Sequence, residues 1–322
     1  MLLKELCEAF GPSGRENHVR DIIIREADKL GFESETDALG NLIVHKPGTK
    51  KKIMLASHMD EIGVVATFID KNGFIRFSNI GGLYVKRLLN RRVVFENGIE
   101  GVIDTEADNK ELKMSKMFID IGSKNKEEAE KYVSVGDMAV FIGEYKEQNG
   151  YVISKALDNR SGCYVMLEVM KKVKSDNDLY FVFTSQEEVG LRGAKASAYS
   201  VNPEIALSID VTDTGDTPGC DVMAVELSKG ACVKVMDRSI ISHPDIRTAL
   251  IETAKNNNID YQLEVLTDGG TDGGVIHTTK DGVKTGGISI PTRYIHSPSE
   301  MVSMKDIFDS INLLVKFLEN EF

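Results

Sequence analysis

The feature that most constrains this chain is a strand–helix alternation broken once, in its middle. From Val64 to Ser154 short alternating segments appear at 73–77, 92–95, 117–121 and 138–142. Several are bounded by Asn-Gly or Gly-Gly turns, with one helical run at 126–132, the pattern of a small β-rich unit. On either side the texture is different. Helices are expected at 2–9, 18–30, 162–172, 243–257 and 305–319, and strands at 33–36, 41–45, 53–56, 179–184, 204–210 and 262–266. In the second helix Val19, Ile22, Ile23 and Ala27 recur at helical spacing, and Ser13 in the preceding turn is a candidate cap. The economical reading is an α/β domain in two parts, 1–63 and 155–322, with a β-rich domain inserted at 64–154. Strands alternating with helices imply a mixed, partly parallel sheet sandwiched between helices. Such sheets collect function at the carboxyl ends of their strands.

Composition narrows the partners. The chain has 322 residues and a net charge of −11, which disfavours nucleic acid or an anionic membrane. No apolar run approaches the roughly 18 residues of a membrane span. The opening MLLKELCEAFGPSGRE carries charges and lacks the long apolar stretch of a secretory signal. Cys7, Cys163, Cys220 and Cys232 show no CxxC spacing, so reduced thiols in the cytoplasm are expected rather than disulfides or a cysteine-bound metal. Metal chemistry would have to come from His, Asp and Glu.

Those residues stand where apolar elements end. His58 and Asp60 follow the strand at 53–56, Glu187 and Glu188 follow 179–184, and Asp210 ends the run Ile205–Asp210. Asp158 precedes a helix, and His296 follows 288–295. Each alone has a plain explanation: Asp158 as a helix cap, His58 as a structural histidine, Asp60 as a surface charge, Asp210 as a strand end, His296 as part of a turn. Together they form a pattern. Oxygen and imidazole donors without thiolate suit Zn²⁺, Co²⁺ or Mn²⁺. One histidine and one carboxylate per ion, with a shared carboxylate, would hold two ions about 3.5–4 Å apart. A further carboxylate could then move protons for a bound water. Adjacent residues of a regular strand face opposite sides. Glu187 and Glu188 can therefore serve one site only if the backbone is irregular at 186–188. Spacing does not say which glutamate does which.

The segments SHMDEIG (57–63), KALDNRSG (155–162), TSQEEVGLRGA (184–194), ALSIDVT (206–212), DGGTDGG (268–274) and RYIHSPSE (293–300) together resemble the M42 family of di-metal aminopeptidases. That family includes the TET peptidases, and some relatives carry the label endoglucanase. The resemblance implies that His58 with Asp210 and His296 with Glu188 each bind one ion, with Asp158 bridging. It implies Glu187 as the catalytic base and Asp60 as the carboxylate that orients the His58 imidazole. It also implies a PDZ-like inserted domain and dimers that assemble into a tetrahedral dodecamer. The cofactors would be two divalent ions, Zn²⁺ or Co²⁺ foremost and Mn²⁺ as an alternative.

Other residues are read from their chemistry. The loop containing Gly269 and Gly270 could present backbone N–H groups to a substrate, or simply turn the chain. Arg160 and Arg293 could steady carboxylates near the ions, or pair with acids at the surface. His18, His45 and His243 read as structural, and His277 is not needed for the ligand count. The leading function is removal of N-terminal residues from short peptides, whose α-amino group suits an acidic pocket. The alternatives are deacylation of small N-acyl compounds, glycoside hydrolysis and a non-catalytic metal scaffold. Glycoside hydrolysis is poorly served by carboxylates crowded around ions and by a chain without tryptophan. A scaffold has no use for Glu187.

Overall fold

The computed structural model describes residues 1–320. Its largest element is an eleven-stranded mixed sheet. The centre is parallel: Lys52–His58 lies between Asp178–Thr184 and Ile205–Thr212, and Ile205–Thr212 pairs in turn with Lys284–Arg293. These strands are buried almost throughout, as expected when helices cover both faces. Antiparallel strands flank them. Glu33–Thr36 and Leu42–Lys46 form one edge, and Glu300–Ser303, Tyr151–Ser154 and Lys146–Gln148 form the other.

Alternation along one strand shows how the faces are used. Ile53 and Leu55 join the larger core, with the helices Leu2–Glu8, Asn17–Lys29, Leu157–Lys172, Pro244–Asn256 and Met304–Leu318. Met54 and Ala56 face the other way, onto Ala194, Ala198 and Val201 of the helix Arg192–Val201 and onto Ile276. This is the period-two signature of a strand buried on both sides.

The interruption in the sequence is a closed barrel. Its strands run in the spatial order Gly63–Ile69, Ile75–Ile80, Met117–Asp120, Glu100–Thr105, Arg92–Phe95 and Met138–Phe141. It has its own core, with Val64, Ile75, Phe77, Val93, Ile103, Ile119 and Phe141. The expected helix at 126–132 is one turn, Lys126–Ala129, capped by Asn125, which accepts from the Glu128 amide at 2.9 Å. Two expectations need correction. Residues 146–154 do not belong to the barrel, because Tyr151–Ser154 pairs with Glu300–Ser303 in the large sheet. Ser13 does not cap a helix; its hydroxyl donates to Asp60 at 2.6 Å. Among the described residues no helix is long and apolar enough to cross a membrane, and all four cysteines are free thiols.

Candidate active site and metal centre

Because the four central strands are parallel, their carboxyl ends meet along one edge of the sheet. His58 closes Lys52–His58 opposite Thr184. Asp210 lies near the end of its strand, and His296 lies three residues beyond Arg293. Asp158 sits in the first turn of Leu157–Lys172, with φ/ψ values that are not helical. These side chains line a pocket of about 490 Å³ together with Glu187 and Glu188.

The donor atoms fall into two triads, His58–Asp158–Asp210 and Asp158–Glu188–His296, each with its atoms within 4.8 Å of one another. Asp158 belongs to both. Its Oδ1 stands 3.1 Å from His58 Nε2, and its Oδ2 stands 3.4 Å from His296 Nε2. Asp210 Oδ1 is 3.6 Å from His58 Nε2, and Glu188 Oε2 is 3.3 Å from His296 Nε2. Glu187 belongs to neither triad, yet its Oε2 comes within 4.0 Å of His58 Nε2.

The backbone explains how adjacent glutamates reach one site. The strand Asp178–Thr184 ends, and Gln186 takes a left-handed conformation (φ 55°). The Gln186 amide donates to Glu16 Oε1 at 3.1 Å. The next two amides, of Glu187 and Glu188, donate to the two oxygens of Asp60 at 3.0 and 3.1 Å. The irregularity expected at 186–188 is present. Asp60 does more than stand beside the His58 ring. The His58 ring is oriented by the Asp60 main-chain carbonyl, 3.0 Å from Nδ1, while the carboxylate stands 3.5 Å away and grips the glutamate turn. Glu300 does the equivalent on the other side: its two oxygens accept from the Asp158 and His296 amides, each at 2.9 Å. Buried carboxylates that accept two main-chain N–H groups fix the backbone between them. Sequence reading gave Glu16 and Glu300 no role, and nothing local marks them, because each bond spans more than a hundred residues or a turn of unpredictable shape.

The electrostatics call for added positive charge. Burial, with crowding by Asp210, Asp272 and Glu188, drives the Glu187 pKa well above the carboxylate range despite the pull of His58. Burial likewise raises Glu188 and Asp210. Burial disfavours charge on His58 and His296, but the surrounding carboxylates push both imidazoles up. Glu188 Oε1 is buried with no hydrogen-bond partner among the described residues. Since His58 Nδ1 is held by a carbonyl, the proton of the neutral ring lies there, and Nε2 is the nitrogen that faces the carboxylate oxygens. A ring nitrogen set among carboxylates, an orphaned oxygen and excess buried negative charge fit divalent cations on these residues.

Gly269 and Gly270 line the same pocket, and their loop turns the chain between Tyr261–Val265 and Gly273–Ile276. Of the two arginines, Arg160 is a correction, whereas Arg293 pairs with an acid, one of its two expected readings. Arg160 is fully buried, and its guanidinium donates to the Met59, Leu6, Ala9 and Gly11 carbonyls and to Glu61. It ties the N-terminal segment to the sheet, outside the pocket. Arg293 forms a two-pronged pair with Asp216 at 2.9 and 2.7 Å, also away from the pocket lining. The remaining histidines are occupied elsewhere: His45 with Asp178 at 2.7 Å, His243 as a helix cap, His277 with the Gly273 carbonyl, and His18 beside Phe10.

A family model described as M42 glutamyl aminopeptidase matches residues 40–313. The chain belongs to the M42 peptidase family. A protein of Acetivibrio thermocellus, provisionally named an aminopeptidase, is 52% identical over 98% of this chain and 97% of its own. Among solved structures, an aminopeptidase of the archaeon Desulfurococcus kamchatkensis is 39% identical, with a TM-score of 0.96 over 99% of this chain and 94% of that one. The TET1 peptidase of Pyrococcus horikoshii, described as able to assemble into a tetrahedron or a large octahedral shell, is 34% identical. Its TM-score is 0.89, over 100% of this chain and 99% of that one. As an M42 peptidase this chain is an aminopeptidase. Its mixed sheet and separate small barrel are the architecture these structures share.

Proposed function

We propose that this M42 peptidase removes N-terminal residues from short peptides, using two divalent ions held by His58, Asp158, Asp210, Glu188 and His296. The observation that carries the reading is the Asp158 carboxylate shared between two histidine-carboxylate triads, with the unshared Glu187 beside them. When bound there, such ions polarise a scissile carbonyl and lower the pKa of a water. Zn²⁺, Co²⁺ and Mn²⁺ all suit the donor set.

The protein's own groups supply the rest. Glu187, whose carboxyl is pushed up by burial and by crowding from Asp210, Asp272 and Glu188, takes a proton from the attacking water and returns it to the leaving amine. Asp60 holds the amides of both glutamates, so the base keeps its place relative to the ligand Glu188. The Asp60 carbonyl fixes the His58 ring with Nε2 turned inward. The acidic pocket attracts the positively charged α-amino group of a peptide. Gly269 and Gly270 can approach the substrate backbone without a side chain intervening. The likeness to TET1 supports assembly of this chain into a homo-oligomer, with dimers building a tetrahedral particle whose interior admits peptides and not folded proteins.

The test is Glu187→Gln. Turnover of aminoacyl and peptide substrates should fall by about 10²–10⁴-fold, with metal content per chain unchanged. Full activity in that variant would remove Glu187 from the role of base.

A further inference from the structure

Against the acids of the active-site pocket stands a single guanidinium. Arg87 ends the short turn Val85–Arg87 on the barrel, and with Gly82 and Tyr84 it forms the barrel's contribution to the pocket wall. The lining also holds Asp213 and Asp268, and Asp213 is near enough for the Arg87 guanidinium to work against the rise that burial gives its carboxyl. Two contacts fix the Arg87 side chain. Its Nη1 donates to the Ile295 carbonyl at 2.7 Å, beside His296, and its Cζ lies 4.4 Å from the centre of the Tyr84 ring.

These contacts use one nitrogen and one face. Among the described residues no carboxylate forms an ion pair with Arg87, although acidic side chains share its pocket. A cation present only to balance the pocket's charge would be expected to pair with one of them. Instead the planar fork is held still by a neutral carbonyl and a ring, with its Nε and Nη2 edge open. That edge matches the two oxygens of a carboxylate, a geometry that lysine cannot reproduce. Stacking on an aromatic ring and one fixed N–H reduce the entropy lost on binding.

Resting on the aminopeptidase reading, we propose that Arg87 is a carboxylate-binding subsite for the free C-terminus of a di- or tripeptide substrate. An acidic first side chain, the preference that the family's description already names, is the competing source of a carboxylate. Capture of the C-terminus makes the enzyme a scavenger of very short peptides. Such peptides are zwitterions, and the pocket sets one guanidinium against its acids in the same sense.

Two substrate pairs separate the sources: Leu-Gly-Gly against Leu-Gly-Gly-amide, and glutamyl- against glutaminyl-p-nitroanilide. In the metal-loaded enzyme Leu-Gly-Gly should be favoured over its amide by about tenfold or more in kcat/KM, mainly through KM. Arg87→Gln should bring that ratio close to one, and Arg87→Lys should restore only part of it. A preference in the second pair alone would assign Arg87 to the first side chain and overturn the proposal. If Arg87 only ties the barrel to Ile295, the substitution will depress all four substrates alike and leave the ratios intact, which overturns the proposal. Absence of a preference in both pairs of the unmodified enzyme overturns it too. Failure to cleave any of the four, with any of the three metals, would instead remove the aminopeptidase reading and this proposal with it. Size-exclusion chromatography of both variants checks that fold and assembly are kept.

Discussion

The two halves of the proposed metal centre share Asp158 but are built differently. In the first, His58 and Asp210 stand on central parallel strands, and the His58 side chain is only 2% exposed. Its second ring nitrogen is held by a carbonyl two residues away. In the second, His296 lies beyond a strand end in a left-handed conformation (φ 59°), and its side chain is 25% exposed. Its ring faces the barrel, close enough that a Cβ on Gly82 would come within 3.0 Å of Nδ1. One half is part of the sheet. The other is assembled from a loop, the glutamate turn and the barrel wall, and its histidine is the more open to solvent. Preorganised ligands bind more tightly than those that must be ordered first, so the expectation is that the His58 half is the stronger site.

The change expected to have the largest effect abolishes the contrast. Asp158→Asn removes the group common to both halves. Metal content should fall below one ion per chain, and kcat/KM should drop by about 10³-fold or more. Retention of two ions, measured by elemental analysis, would show that Asp158 is not a shared ligand. A smaller effect separates the halves. Chelator titration should release metal in two steps, the first leaving the His296 half, with affinities at least about tenfold apart. His296→Ala should delete the weaker step and leave the tighter one; a single concerted step would break the comparison.

The smallest effect concerns the support of the weaker half. Arg293 ends the strand that leads to His296 and is paired with Asp216. Burial works to raise the Asp216 pKa, but the Arg293 guanidinium, with Thr214 and the Leu227 amide, outweighs it and holds the carboxyl at about 2. An acid depressed in the fold stabilises it above its ordinary value near 4, and that contribution is lost as pH falls toward 2. Asp216→Asn should therefore lower Tm by about 2–4 °C near neutral pH. The gap should close on acidification. A constant gap across that range would show that the ion pair is not its source.

Much of this was legible before the structure, and the limits have physical causes. Arg92–Phe95 and Glu33–Thr36 follow the expected bounds because alternation and turns are local signals. Four of the five proposed ligands follow apolar elements that the pattern places, and Asp158 precedes a helix; their individual roles rest on the resemblance of the motifs, not on spacing. Arg192–Val201 escaped notice because RGAKASAYSV buries only small residues and one valine, so it has no broad apolar stripe. Ala231–Met236 was missed although most of it is buried; a short run of mixed residues containing a lysine gives little period to read. The strand Tyr151–Ser154 was assigned to the wrong domain because its partner, Glu300–Ser303, lies far along the chain. Long-range pairing leaves no local mark. The same holds for Arg160, an arginine in a motif near the metals that the fold uses to gather main-chain carbonyls. It also holds for Lys155 and Glu61, which form a buried pair at 2.7 Å.

Asp60 has one more consequence. A single peptide plane joins Glu187 to Glu188, and a single carboxylate holds both of their amides. Any displacement of that turn carries the two side chains in the same direction and by nearly the same amount. If the strand end shifts, the distance between the proposed proton acceptor and the proposed ligand changes little. Adjacent residues, usually a poor way to aim two groups at one point, here make positional error common to both and so cancel it from the one separation on which the reaction depends.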